Sequence, residues 1–329
     1  MALHEYCVDG NKHVDIEKLP TDGKKDNIKK EDKPEILKKT AKNLARIEAL
    51  QDELYADGQE GIVIVLQAMD AAGKDSTIKH VMSGVNPQGV SVTSFKQPSS
   101  EELAHDYLWR VNKALPRRGQ MAIFNRSYYE DVLVVKVHQL QKNYNLAPRV
   151  INDDDFFQKR YKQIRNYEEY LYENSYRVLK IFLHVSPEEQ KKRFLERIDD
   201  ETKNWKFSAG DLKERSYWTQ YMHAYEDAIN DTASEHSPWY VLPADQKWYT
   251  RYLVSELVVQ TLEACKSKYP ELPQEDLDSL AACKAQLLAE DGGANQSDSK
   301  EKAAANASET EEKQPKNLPR AKAVKREKK

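Results

Sequence analysis

Of 329 residues only three are cysteine, Cys7, Cys265 and Cys283, far apart and in no C-x-x-C. That excludes a disulfide framework and a thiolate metal site. No uninterrupted apolar run reaches the roughly 18 residues that a membrane span requires. The opening MALHEYCVDG lacks both a basic stretch and an apolar core, so no secretory signal is expected. Surplus positive charge is missing too: 51 Lys and Arg face 54 Asp and Glu, a formal net charge of −3. Residues 292–329 alone hold 10 of those cations against 6 carboxylates, which leaves the rest of the chain at −7. An acidic body argues against a dedicated nucleic-acid binder. Residues 292–329 also lack Ile, Phe, Tyr, Trp, Met and Cys. Such a stretch cannot bury enough apolar surface to offset its ordering entropy, so a disordered basic tail is expected there. A cytoplasmic protein with no membrane or nucleic-acid partner is the expectation.

What the chain does contain is alternation. Residues 1–32 are rich in lysine and aspartate and weakly patterned, and read as an arm lying on the body. From Pro34 apolar residues recur at helical spacing until Asp57-Gly58 stops them. Five short apolar runs follow, each trailed by an amphipathic stretch: GIVIVLQ (61–67), VSVTSF (90–95), MAIFN (121–125), RVLKIFLHV (177–185) and WYVLPA (239–244). Ser99 with Glu102, Ser186 with Glu189 and Ser208 with Asp211 have capping-box spacing at helix starts. Strands alternating with helices predict one α/β domain, a parallel sheet with helices on both faces, over about 33–270. A helix over 271–291 is expected before the tail.

The first strand runs straight into AMDAAGKDST, Ala68 to Thr77. A small-residue turn between a buried strand and a helix points backbone N–H groups inward, and a lysine at the helix start reaches phosphate. The strict G-x-x-x-x-G-K-[ST] pattern is not met. Ala68 stands for the first glycine, Asp75 for the hydroxyl residue, and the hydroxyls move to Ser76 and Thr77. Ala71, Ala72, Gly73, Lys74, Asp75 and Ser76 are therefore phosphate-binding candidates. Asp70 is out of place in a polyanion loop unless a cation mediates, and Mg²⁺ is the expected mediator. In a parallel sheet, ligand residues gather at the carboxyl ends of strands, which brings in Asn125, Arg126, Glu130 and Asp131. Arg117 and Arg118 sit on the loop before that strand. Arg193 and Arg197 lie in a basic segment, about 191–215, that reads as a lid.

Together these residues resemble the type-2 polyphosphate kinase family. The resemblance spans roughly Lys33 to Cys265 and rests on DAAGKDST, GVNPQGVSVTSFKQPS, FNRSYYEDVLVVKVH, KKRFLERIDDETKNWKFS and PWYVLPADQKWY in that order. It implies a P-loop, nucleoside-monophosphate-kinase-like three-layer sandwich with a five-stranded parallel sheet and a helical lid. It makes Asp70 the acidic Mg²⁺ or phosphate-orienting residue, Lys74 the phosphate-loop lysine, Arg118 and Arg126 phosphate ligands, and Arg193 a lid arginine. Asn125, where many relatives have Asp, resembles the class III subgroup that phosphorylates both AMP and ADP. The implied reaction is reversible, Mg²⁺-dependent transfer from inorganic polyphosphate to AMP and ADP, giving ADP and ATP, in a homodimer or homotetramer. The alternative is an ATP-donor nucleoside monophosphate kinase of the thymidylate-kinase type.

Overall fold

The run Gly61–Ala68 forms strand β2, and all eight of its residues are buried, so both faces of the sheet are covered at this point. The computed structural model describes residues 3–305, with side chains through Glu290. The other strands are β1 (Cys7–Val8), β3 (Val90–Ser94), β4 (Met121–Asn125), β5 (Tyr176–His184) and β6 (Trp239–Pro243). They make one sheet in the order β1-β6-β5-β2-β4-β3. Pairing is parallel from β3 to β6, and each of the five expected runs became a strand.

One detail corrects the five-stranded expectation. Cys7 and Val8 pair antiparallel with Tyr240 and Trp239, so the sheet has six strands and is mixed. The N-terminal arm is part of the body: Leu3, Tyr6 and Ile16 are buried. It is held by Asn230, whose side chain both donates to and accepts from the Val14 backbone at 2.9 Å. A two-residue strand is too short to leave a periodic signal, and its few apolar residues are spread among lysines.

Two helix groups accompany the sheet. Helix Lys33–Asp57 packs on helix Lys247–Cys265, which also meets helix Lys74–Val81; helix Phe156–Glu173 packs on Trp218–Thr232 and on β5. The loops after β2 and after β5 flank the point where the strand order reverses, the place where open α/β sheets bind ligands. The chain divides into two units after Pro270. In the second, the helix expected to end near 291 runs Gln274–Ala305; the remainder of the expected tail, 306–329, lies outside the described residues.

Candidate active site

Beyond Ala68 the chain turns through Met69-Asp70-Ala71-Ala72-Gly73 into helix Lys74–Val81. Gly73 has φ +110°, which only glycine adopts freely. Ala71 at φ +59° and Arg126 at φ +64° are left-handed without being glycine, a strain of roughly 1–2 kcal/mol each. Something must hold them.

For Ala71 that something is Arg193, which is only 3% exposed. Its Nη1 donates to Ala71 O (3.1 Å) and Ala72 O (2.7 Å), and its Nη2 to Ala244 O (2.7 Å) and Asp245 O (3.0 Å). Its Nε is bound to Glu189 Oε1 at 2.9 Å. The expectation of a lid arginine is therefore corrected: Arg193 braces the phosphate loop. With the Ala72 carbonyl drawn to Arg193, the trans peptide turns the Gly73 N–H the opposite way. Gln190 adds a bond from Nε2 to Asp70 O at 2.9 Å. Glu189, the expected capping-box partner of Ser186, is diverted to Arg193, and Ser186 N instead donates to Asp245 Oδ1 at 2.8 Å.

Lys74 opens the helix and is buried, its Nζ donating to Ala68 O at 2.7 Å. Burial above all, and then the Arg126 charge, pull its pKa down to about 8. Arg126 stands one residue past β4, its N–H donating to Leu66 O at 3.1 Å. Its guanidinium meets Asp70 Oδ1 at 2.9 Å and Glu130 Oε2 at 3.5 Å. Glu130 first and Asp70 after it hold Arg126 firmly in its charged form. Burial pushes the Glu130 carboxyl up, against the opposing pull of Arg126 and Lys74. Asn125 Nδ2 donates to Asp75 Oδ1 at 2.7 Å, tying β4 to the helix start, and Ser76 Oγ donates back to Gly73 O at 2.9 Å.

These groups open on a cavity of about 650 Å³ lined by Asp70, Ala71, Gly73, Lys74, Asp75, Ser76, Asn125, Arg126, Arg193 and Arg197, among others. Eight lysines and arginines line it against four carboxylates, although the whole chain is net negative. Lys203, Trp205 and Lys206 reach it from the expected lid, which consists of the end of helix Pro187–Asp199, a turn at Asn204–Lys206 and helix Ala209–Ser216. Sequence reasoning missed Lys96 and Lys247. Each follows the carboxyl end of a strand, β3 and β6, so the rule that found Arg126 would have found them. A second cavity, about 570 Å³, shares Phe95, Lys96, Gln97 and Arg126 with the first and is largely apolar, with Tyr107, Val134, Val135 and Tyr144 in its wall.

Three further expectations are corrected. Arg117 and Arg118 lie at the wrong end of the sheet, on a loop whose Gly119 N–H donates to Glu60 O beside the start of β2. Arg118 donates to Asn174 O at 3.0 Å, and the length of β4, about 13 Å, separates the pair from Arg126. Asp131 points into the second cavity's wall, where its Oδ2 pairs with Arg160 Nε at 2.7 Å. Ala72 is buried, its N–H donating to Met69 O at 3.2 Å and its carbonyl accepting from Arg193, and it does not line the phosphate cavity.

The sequence profile of Polyphosphate kinase 2 (PPK2) matches residues 28–270. The chain belongs to this family. Over 285 residues, 86% of this chain and 98% of the relative, it is 46% identical to the ADP-polyphosphate phosphotransferase of Rhodopseudomonas palustris. Over 226 residues it is 50% identical to the AMP/ADP-polyphosphate phosphotransferase of Meiothermus ruber, covering 69% of this chain and 80% of that one. The crystal structure of Polyphosphate Kinase 2 from Arthrobacter aurescens TC1 aligns with a TM-score of 0.67 at 39% identity, over 74% of this chain and 84% of that one. The PPK2 match begins within the N-terminal arm and ends at Pro270, where the first unit also ends.

Proposed function

We propose that this PPK2 protein moves the terminal phosphoryl group of inorganic polyphosphate onto ADP and AMP, reversibly and in one in-line step. The observation that carries the reading is the cavity at the phosphate loop, where eight cations surround a space in an otherwise acidic protein. A long phosphoanhydride chain matches such a space in charge and extent. The adjoining apolar cavity, reached past Arg126, suits the nucleoside of the acceptor. The two relatives carry different names, ADP-polyphosphate and AMP/ADP-polyphosphate phosphotransferase. The neutral Asn125 at the end of β4 supports both acceptors here, because it adds no charge against an additional acceptor phosphate.

In the transfer, an oxygen of the acceptor's terminal phosphate attacks the terminal phosphorus of the donor. The anhydride bond breaks, and the donor, one phosphate shorter, leaves with the bonding electron pair. Lys74 and Arg126 hold the oxygens of the group in flight; Asp70 and Glu130 aim Arg126 from two sides. No covalent enzyme intermediate is required, since positioning and charge neutralisation supply the rate enhancement. Asp70 would hold Mg²⁺. Its carboxylate faces the cavity with only Oδ1 engaged, by Arg126, among the described residues, and Mg²⁺ needs one or two carboxylates beside substrate oxygens and water. The ion, when bound, neutralises charge on the phosphates. A homodimer or homotetramer is part of the proposal, supported by the family resemblance and checked by light scattering.

The test is a time course with Mg²⁺, polyphosphate and either AMP or ADP, resolved by ion-exchange chromatography in enzyme freed of adenylate kinase. The expected result is ATP from ADP, and ADP then ATP from AMP. Product from ADP alone would restrict the acceptor, whereas turnover with ATP but none with polyphosphate would return the thymidylate-kinase alternative.

A further inference from the structure

Behind the site lies a charge pair that the reaction does not use. Lys180, in β5, and Glu168, on helix Phe156–Glu173, are 0% and 1% exposed, with Nζ 2.6 Å from Oε2. The pair is fully hydrogen-bonded. Lys180 Nζ also donates to Thr232 O (2.9 Å) and Tyr129 OH (3.2 Å). Glu168 Oε1 accepts from the Tyr128 hydroxyl at 2.8 Å, and the Tyr129 hydroxyl lies 2.8 Å from both Glu168 Oε1 and Thr232 Oγ1; Oε2 accepts from Ser237 Oγ at 3.1 Å. A buried ion pair is seldom more stabilising than well-packed apolar side chains of the same volume, so stability is a weak account of its presence.

Its attachments supply a better one. Tyr128 and Tyr129 directly follow Arg126 and Ser127 and precede Glu130. Ser127 is fully buried, its Oγ accepting from Tyr129 N at 3.2 Å and meeting Gln67. Tyrosine hydroxyls that converge on one oxygen are held more tightly by a carboxylate than by a neutral acceptor. A carboxylate in the core needs a cation. We propose that the Lys180–Glu168 pair, acting through Tyr128 and Tyr129, is a positioning device that locks the strained turn at Arg126 so that its guanidinium stays between Asp70 and Glu130. This rests on the reading that Arg126 grips the phosphoryl group in transfer.

The experiment compares three conservative variants, well below their unfolding temperatures, in the polyphosphate and ADP assay. Tyr128→Phe cuts one tether to Glu168, and Tyr129→Phe cuts the other together with the hydroxyl's contacts to Lys180 and Thr232. Ser237→Ala removes a Glu168 partner on the side away from the turn. Each tyrosine variant should lose about tenfold or more in kcat with donor KM changed less, the size of effect that a slight misplacement of a reacting group produces. Ser237→Ala should share the loss in thermal midpoint while keeping kcat within about twofold. Tyrosine variants with undiminished kcat, or a Ser237→Ala loss in kcat equal to theirs, would overturn the proposal. Wild-type turnover in the same assay separates the two readings: without it the functional proposal fails, and with it only the positioning claim is at stake.

Discussion

Lys74 is under two opposed demands: its site is dry, which favours the neutral amine, and the role proposed for it, meeting phosphate, requires the ammonium. In the free protein burial holds the pKa at about 8. Donor-limited kcat/KM, which reports the free enzyme, should therefore be flat on the acid side and fall tenfold per pH unit above about 8. Polyphosphate beside the ammonium raises its pKa, so the corresponding limb in kcat should lie at higher pH. Lys74→Arg should remove both limbs while lowering the rate, because arginine does not titrate in this range; a pH–rate series on the two proteins decides it. The same scale separates two arginines that look alike in sequence. Arg126→Ala should cost about a hundredfold or more in kcat, as the loss of a charge-stabilising group does. Arg118→Ala, at the far end of β4, should stay within a few-fold, both read in the same assay. Lys74 was legible because a phosphate loop calls for a lysine at its helix start, and Asp70 because a carboxylate is out of place in such a loop without a cation. Arg118 precedes β4 and so lies at the end of the sheet opposite the phosphate loop, a matter of strand direction that a cation's charge does not carry.

At the scale of elements, the phosphate loop is a surface of the helix that follows β5 as much as of the helix it begins. Arg193 bonds the carbonyls of Ala71 and Ala72 on one side and of Ala244 and Asp245 on the other, joining the loops that follow β2 and β6. Arg193→Lys keeps the charge but cannot reach all of these acceptors. It should lower stability by roughly 2–4 kcal/mol through unsatisfied buried groups, seen as a lower urea midpoint, with donor KM raised as the loop loosens. Counting cations in the 191–215 segment could not distinguish this residue from Arg197. The difference lies in four carbonyl partners brought from two distant loops, which no local pattern carries. Four of the five parallel strands were readable as apolar runs bounded by turn residues, and the half-exposed β3, VSVTS, by its β-branched residues. The capping box at Ser99 and Glu102 was readable for the same local reason, its two bonds being 2.7 and 3.2 Å.

For the molecule as a whole, eight lysines and arginines gather at one cavity, the proposed donor site, while the net charge is negative. Donor KM should therefore rise with ionic strength at fixed Mg²⁺, because the exposed lysines at the rim are screened within about 10 Å at 0.1 M salt. A KM unchanged between low and high salt would contradict the proposed donor cavity. The family match and the first compact unit both end at Pro270, so a chain truncated there should retain turnover within a few-fold in the product assay. The short strand at the other terminus has a different consequence, one of timing. Cys7 and Val8 leave the ribosome more than 200 residues ahead of their partners Tyr240 and Trp239. Until then the arm has no edge to close, and β6, once made, offers its unpaired backbone to any neighbouring chain. Closing it is the longest-range contact in the sheet and carries the loop-closure delay of such pairings. A nascent or refolding chain is thus most prone to self-association just before its first strand finds its place.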